Sequence, residues 1–369
     1  MKETGVDRRK FLKLAGAAVP GLAATRALAG LPGGSAGGGA SSRLAQSTWR
    51  PNYGPNPAPS LRPEPVTRRL LVVTLNPRLR SMGNITVQQY MRLNNPGWLI
   101  ANHIRDLRHA SYGYVNYQVV ENIHIDDFAH WPVLQDGFRY DEHSYLEVLR
   151  NYRAGGGAPQ RNPWLIDHHA YFNQFNIFER VRTGQIDEVW QIETPFGGNW
   201  EAVMAGPGAS YSNAPPVGGT DHAGRRFVFM VYNMERTLTE MLHSYGHRAE
   251  GHLNTVHSRF GDQDNLWKRF IRREASHPGQ AEVGNIHFPP NAERDYDRSN
   301  PRVVQSNADD WYHFPFLTGN RFRPMSSGEW NSVARLYYLW WMRHLPHVAG
   351  ECDGVALNWW RYIVDPNTI

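Results

Sequence analysis

The chain has 369 residues, 41% of them hydrophobic and 20% charged, a composition that excludes wholesale disorder. A single cysteine, Cys352, excludes an intramolecular disulfide framework and any multi-cysteine zinc or iron–sulfur site. Of the net charge of +5, +4 sits in residues 1–29, where six basic residues face Glu3 and Asp7; the nearly neutral remainder calls for no nucleic-acid partner.

The chain opens with Asp7-Arg8-Arg9-Lys10-Phe11-Leu12-Lys13, a modestly apolar stretch from Leu14 to Ala24, and Ala27-Leu28-Ala29. A basic segment, a short apolar core and a small-x-small site make a secretory signal peptide over 1–29, and the paired arginines resemble the twin-arginine export signal. The implied partner is the twin-arginine export machinery, and the implied destination the periplasm or the medium. Pro20 and the Ala/Gly-rich core leave that stretch too short and weakly apolar to span a bilayer. Residues 30–65, first glycine-rich and then proline-rich, read as a linker. Residues 66–369 remain as a single large domain.

Arg69–Leu75 is a continuously apolar run, the pattern of a strand buried on both faces. A helical stretch follows from about Val87 to His109, then a strand over Tyr114–Ile125 and helices near Glu142–Arg153 and Asp167–Thr183. Ile186–Thr194 and Arg226–Tyr232 read as a third and a fourth strand. Asn233 is placed as the N-cap of a long helix reaching about His257. Strands alternating with helices predict an α/β fold, a mainly parallel sheet with helices on both faces. Residues 260–369, polar and aromatic with one clear helix at Glu329–Leu345, are expected to form an irregular covering layer.

The segment Glu240–Glu250 carries the most chemistry. At about 100° per residue, Glu240, His243, His247, Glu250 and Asn254 share roughly 80° of arc, opposite Leu238, Met241, Leu242, Tyr245, Ala249, Leu253 and Val256. Histidines at i and i+4 stack one turn apart and can reach one divalent ion. The competing reading is an ordinary solvated helix face. Against it, Gly246 is unfavourable in an exposed helix interior and suits a site where another segment or a substrate comes close. Ser244 stands where the glutamate of a His-Glu-x-x-His motif would be.

Two further segments compete or contribute. Glu193 and Glu201 flank Gly197-Gly198 at the end of the third strand and are a candidate acid–base pair for glycoside hydrolysis, or ordinary loop carboxylates. His287, with Asp295 and Asp297 downstream, could supply a remote third ligand or belong to a covering loop; Asp167-His168-His169 is weaker. Trp340, Trp341, Trp359 and Trp360, with Tyr337, Tyr338 and Tyr362, line either a glycan- or peptide-binding groove or the core beneath a late helix. Phosphate-loop, dinucleotide and nucleophile-elbow motifs are absent from the sequence.

Ile186–Trp190, Met204–Gly208, Gly246–Glu250 and Asn358–Ile363 together resemble a group of secreted bacterial proteins of unassigned activity. That resemblance raises interest in His247 and Glu250 and carries no reaction. The expectation is therefore an exported metal-dependent hydrolase acting on an extracellular peptide or amide. His243 and His247 would hold a divalent ion, zinc first among candidates, with Glu250 or His287 as third ligand and Glu240 or Glu193 as proton acceptor. The alternatives are a metal-free glycosidase using Glu193 and Glu201 and a non-catalytic glycan-binding protein.

Overall fold

The computed structural model describes residues 62–155 and 164–369. The expected export signal and nearly all of the expected linker lie outside the described residues.

Five strands form the central sheet. They are β1 (Val66–Leu75), β2 (Val115–Ile125), β3 (Glu188–Glu193), β4 (Ala202–Ala205) and β5 (Phe227–Asn233). Their spatial order is β2-β1-β3-β5-β4; all neighbours are parallel except β4, which runs antiparallel to β5. The four expected strands are all present, and β4 is an addition inside what reads as loop. A bulge between Leu70 and Leu71 shifts the pairing of β1 with the edge strand β2.

The apolar runs are explained by the two covered faces. Leu70, Val72, Trp190, Ile192, Val228 and Met230 point to one side, while Leu71, Val73, Val189, Val203, Phe227 and Phe229 point to the other. The first side packs against α2 (Pro96–Ala110), which follows the short α1 (Val87–Met91). Arg92 in the left-handed region and the Asn95 cap before Pro96 divide what reads as one helix from Val87 to His109. The second side is covered by α3 (Glu142–Arg153), α4 (His168–Gln174) and α5 (Ile177–Arg182).

The long α6 (Leu238–His257) lies on the first side. Its N-cap is Thr237, not Asn233. Asn233 ends β5, and its side chain accepts from Glu235 N instead (2.8 Å). After α7 (Leu266–Phe270) come α8 (Ala334–His344) and α9 (Trp360–Val364), with short antiparallel pairs Val304–Ser306 with Arg323–Met325 and His347–Cys352 with Val355–Asn358 and otherwise turns and loops in this covering layer. That layer is nevertheless true core. Trp340, Trp341, Trp359 and Trp360 are buried with Tyr337, Tyr338 and Tyr362, so these rings line no surface groove. Among the described residues no helix is long and apolar enough to cross a membrane.

Candidate metal centre

Two features fix the direction in which α6 presents its histidines. At the N-terminus, Thr237 and Glu240 form a reciprocal capping box in which the Glu240 carboxylate accepts from Thr237 N (2.8 Å) and Thr237 Oγ1 (2.7 Å). At mid-helix, Arg248 donates to both oxygens of Glu188 at the start of β3, with Nη2 to Oε2 at 2.9 Å. Both groups are fully buried. Glu188 also accepts from Trp190 Nε1 (2.7 Å) and the Tyr117 hydroxyl (3.1 Å), and Tyr117 meets the Tyr245 hydroxyl at 3.0 Å. A buried ion pair satisfied on every oxygen tolerates little rotation of the helix that carries it.

With Met241, Leu242, Tyr245, Ala249 and Leu253 turned into the core, His243 and His247 face the loop that follows Gly284. Gly246 lets this loop come close: a methyl group there would stand 2.6 Å from Ile286 Cγ1 and nearer still to Cδ1. Several hydrogen bonds pin the loop in place. Glu250 Oε1 accepts from Ile286 N (2.9 Å), Trp341 Nε1 donates to Gly284 O (2.9 Å), and the Tyr337 hydroxyl donates to Asn285 O. The buried aromatics of α8 thus serve to position the loop.

His287, carried on that loop, brings its Nε2 to 3.0 Å from His243 Nε2 and 3.0 Å from His247 Nε2. Among the described residues, His243, His247 and His287 form a cluster whose ligand atoms all lie within 4.8 Å of one another. Behind two of the rings stand carboxylates: Glu250 Oε2 is 2.9 Å from His247 Nδ1, and Asp295 Oδ1 is 2.8 Å from His287 Nδ1. A carboxylate at Nδ1 holds the proton on that nitrogen and leaves Nε2 with a bare lone pair. Two such lone pairs, on His247 and His287, face each other at 3.0 Å. That arrangement is repulsive unless a positive charge lies between them.

Titration follows the same logic. Burial, reinforced by the neighbouring imidazoles, pushes His243 well below the usual histidine range. Burial and His247 also lower His287. Burial opposes charge on His247 too, but the bond to Glu250 and its charge outweigh it, leaving His247 raised. Burial and mutual repulsion thus oppose charge on His243 and His287, while Glu250 favours it on His247. Three histidine nitrogens this close together could hold a metal ion.

The structure sorts the remaining expected residues. Of the two candidates for third ligand, His287 faces the pair, and Glu250 stands behind His247 with both oxygens engaged. Glu240 caps its own helix. Glu193 is buried at the end of β3, accepting from Gln191 Nε2 and from Asn199 Nδ2 (3.1 Å), and burial raises its carboxyl to about 7. Glu201 accepts from Asn213 Nδ2 (2.7 Å) and pairs with Arg236 (3.2 Å). Glu193 and Glu201 thus share no hydrogen-bond partner. Asp297 accepts from Glu293 N (3.0 Å) and Asn300 Nδ2 (2.7 Å), away from the imidazoles. His169 bonds Gly218 O (2.9 Å), and His168 lies against Phe172 and Phe229 beneath the opposite face.

Three residues pack around the cluster that the sequence reading did not place there. Tyr296 lies 4.3 Å from the His287 ring centroid and Tyr338 is stacked on His243 at 5.6 Å. Arg298 lies against both tyrosines. Tyr296 occupies the left-handed region at φ 57°, a strained conformation for an aromatic residue that sets its ring against the cluster.

The chain matches no family model, no curated protein and no solved structure. The functional reading therefore rests on the geometry of the site.

Proposed function

We propose that this protein is a metal-dependent hydrolase in which His243, His247 and His287 hold one divalent ion, zinc in the first instance. The observation that carries the proposal is the convergence of three imidazole Nε2 atoms, two of them with Nδ1 backed by carboxylates, around one point. A proton bridging one pair of rings would also relieve the repulsion. It would leave unexplained why three rings and two orienting carboxylates, drawn from a helix and a separate loop, are aimed at the same place.

A zinc ion held there would supply Lewis acidity and lower the pKa of a bound water toward neutrality. The three imidazoles would hold the ion. Glu250 and Asp295 keep His247 and His287 in the ligating tautomer and raise their basicity. Glu240 and Glu193 are occupied elsewhere, so the reading assigns neither of them the proton. Peptide or amide bonds are the preferred substrate class, by analogy with metallopeptidases that use paired helical histidines. Export to the periplasm or medium follows from the twin-arginine-like start of the chain and belongs to the same proposal.

The test is elemental analysis of the purified full chain beside His243→Ala/His247→Ala and His287→Ala. About one equivalent of metal is expected in the wild type and almost none in either variant, together with chelator-sensitive, zinc-restorable cleavage of a quenched fluorescent peptide pool. Metal retained at full stoichiometry in both variants would remove the proposal.

A further inference from the structure

Arg298 is only 8% exposed, and its guanidinium lies 4.4 Å from the Tyr296 ring centroid and 4.7 Å from that of Tyr338. Those two rings are the ones that pack on His287 and His243, so the charge sits one ring away from the imidazoles on two sides. Its Nη2 donates to Ile286 O (3.0 Å), while its Nε is buried without a hydrogen-bond partner. Other arginines near the loop find carboxylates: Arg294 with Asp297, Arg302 with Glu293, and Arg236 with Glu201. Arg298 forms no ion pair among the described residues.

A buried guanidinium is retained at a cost unless an anion or good hydrogen bonds compensate it. Cation–π contacts to two tyrosines and one carbonyl bond offset part of that cost. With a divalent ion on the histidines the demand grows. The carboxylates of Glu250 and Asp295 balance the ion, and the guanidinium is left uncompensated in a site partly shielded from water.

We propose that Arg298 is the specificity-determining residue of the centre and that the substrate carries a carboxylate close to the bond that is cleaved. The planar fork of an arginine suits a carboxylate in two-point contact. A peptide carboxy-terminus or an acidic residue beside the scissile amide has this chemistry. The inference rests on the metal-centre reading, and its test separates the two.

Zinc-loaded protein is titrated by calorimetry with dicarboxylates of three to five carbons, each beside its mono-amide. Both members of a pair offer one carboxylate to the metal, and only the diacid offers a second one to Arg298. The wild type is expected to bind the best diacid about tenfold more tightly than its mono-amide, a difference of about 1.4 kcal/mol. Arg298→Gln is expected to erase that preference while retaining one zinc, and Arg298→Lys to keep part of it. Equal affinity for every diacid and its mono-amide in the wild type would overturn the inference whether or not the variants fold. So would a preference that survives in Arg298→Gln. Failure of the wild type to take up zinc would overturn the metal reading instead. The diacid preference of the metal-free protein, and its dependence on Arg298, would then decide the anion site by itself.

Discussion

Gly246→Ala tests whether close packing of helix on loop assembles the centre. The new methyl group would stand 2.6 Å from Ile286 Cγ1, where carbon–carbon contacts settle at about 3.5–4.0 Å, so the loop must retreat by roughly 1 Å. Ile286 is fully buried and branched at Cβ, so its side chain has little room to swing aside. Overpacking of this kind costs about 1–3 kcal/mol, against a gain of about 1 kcal/mol in helix propensity. The net loss of stability is therefore small, about 0–2 kcal/mol. Zinc affinity suffers more, because His287 follows Ile286 directly and a retreat of that size breaks the convergence of the three nitrogens. A loss of at least about tenfold is expected, comparable to losing an orienting partner. Calorimetric zinc titration and urea unfolding measure the two effects separately. Adding Ile286→Ala removes the colliding atoms, and the double variant should be less impaired than the sum of the single ones by about 1 kcal/mol or more. Gly251→Ala is the control. Its methyl would meet the backbone carbonyl of Ser212, 2.9 Å from the carbon, so stability should drop while zinc affinity holds. Wild-type zinc affinity in Gly246→Ala, with strictly additive effects in the double variant, would refute the reasoning.

Three other outcomes follow from the same structure. Glu250→Gln and Asp295→Asn should each weaken zinc binding about 10–100-fold in calorimetric titration while leaving its stoichiometry at one. Arg248→Met strands the buried Glu188 carboxylate and should lower unfolding stability by about 3–5 kcal/mol; a loss below about 1 kcal/mol in urea would mean the pair is not buried as described. Glu193, whose carboxyl lies near 7 in the folded chain against an ordinary 4.5, stabilises the fold fully below the ordinary value, and that contribution fades as pH rises through the folded one. Thermal melts of the wild type should thus lose ground to Glu193→Gln between about pH 4.5 and 7, by up to a few kcal/mol.

The sheet was legible because strands buried on both faces write themselves as nearly unbroken apolar runs, as in Leu70–Leu75, interrupted at Thr74, and Phe227–Tyr232. Strand β4 was not, since Ala202–Ala205 spans four residues, too few to stand out from an apolar loop. The misplaced cap of α6 has a local cause: Asn233 does make a side-chain to backbone bond, but as a turn at the strand end, and Thr237 with Glu240 three residues on was the stronger signature. At the centre, the helical period alone put His243 and His247 together, and Gly246 announced a close neighbour. The sequence held no means of naming that neighbour as Ile286, and so could not choose His287 over Glu250. It offered Asp295 as a ligand, whereas Asp295 stands behind the His287 ring at Nδ1. Arg298 was illegible because its meaning lies in a missing carboxylate, which only packing reveals.

His247 and His287 stand 40 residues apart in the chain, on a rigid helix and on a loop without regular structure. A protein with one cysteine has no cystine to join distant stretches of its backbone. Coordinate bonds from both histidines to a shared ion would act as a removable clasp in that role. Closing a ring of this size in the unfolded chain corresponds to about 4 kcal/mol in the simplest chain-entropy account. Metal supply would then govern how long the folded protein survives, as well as what it can do.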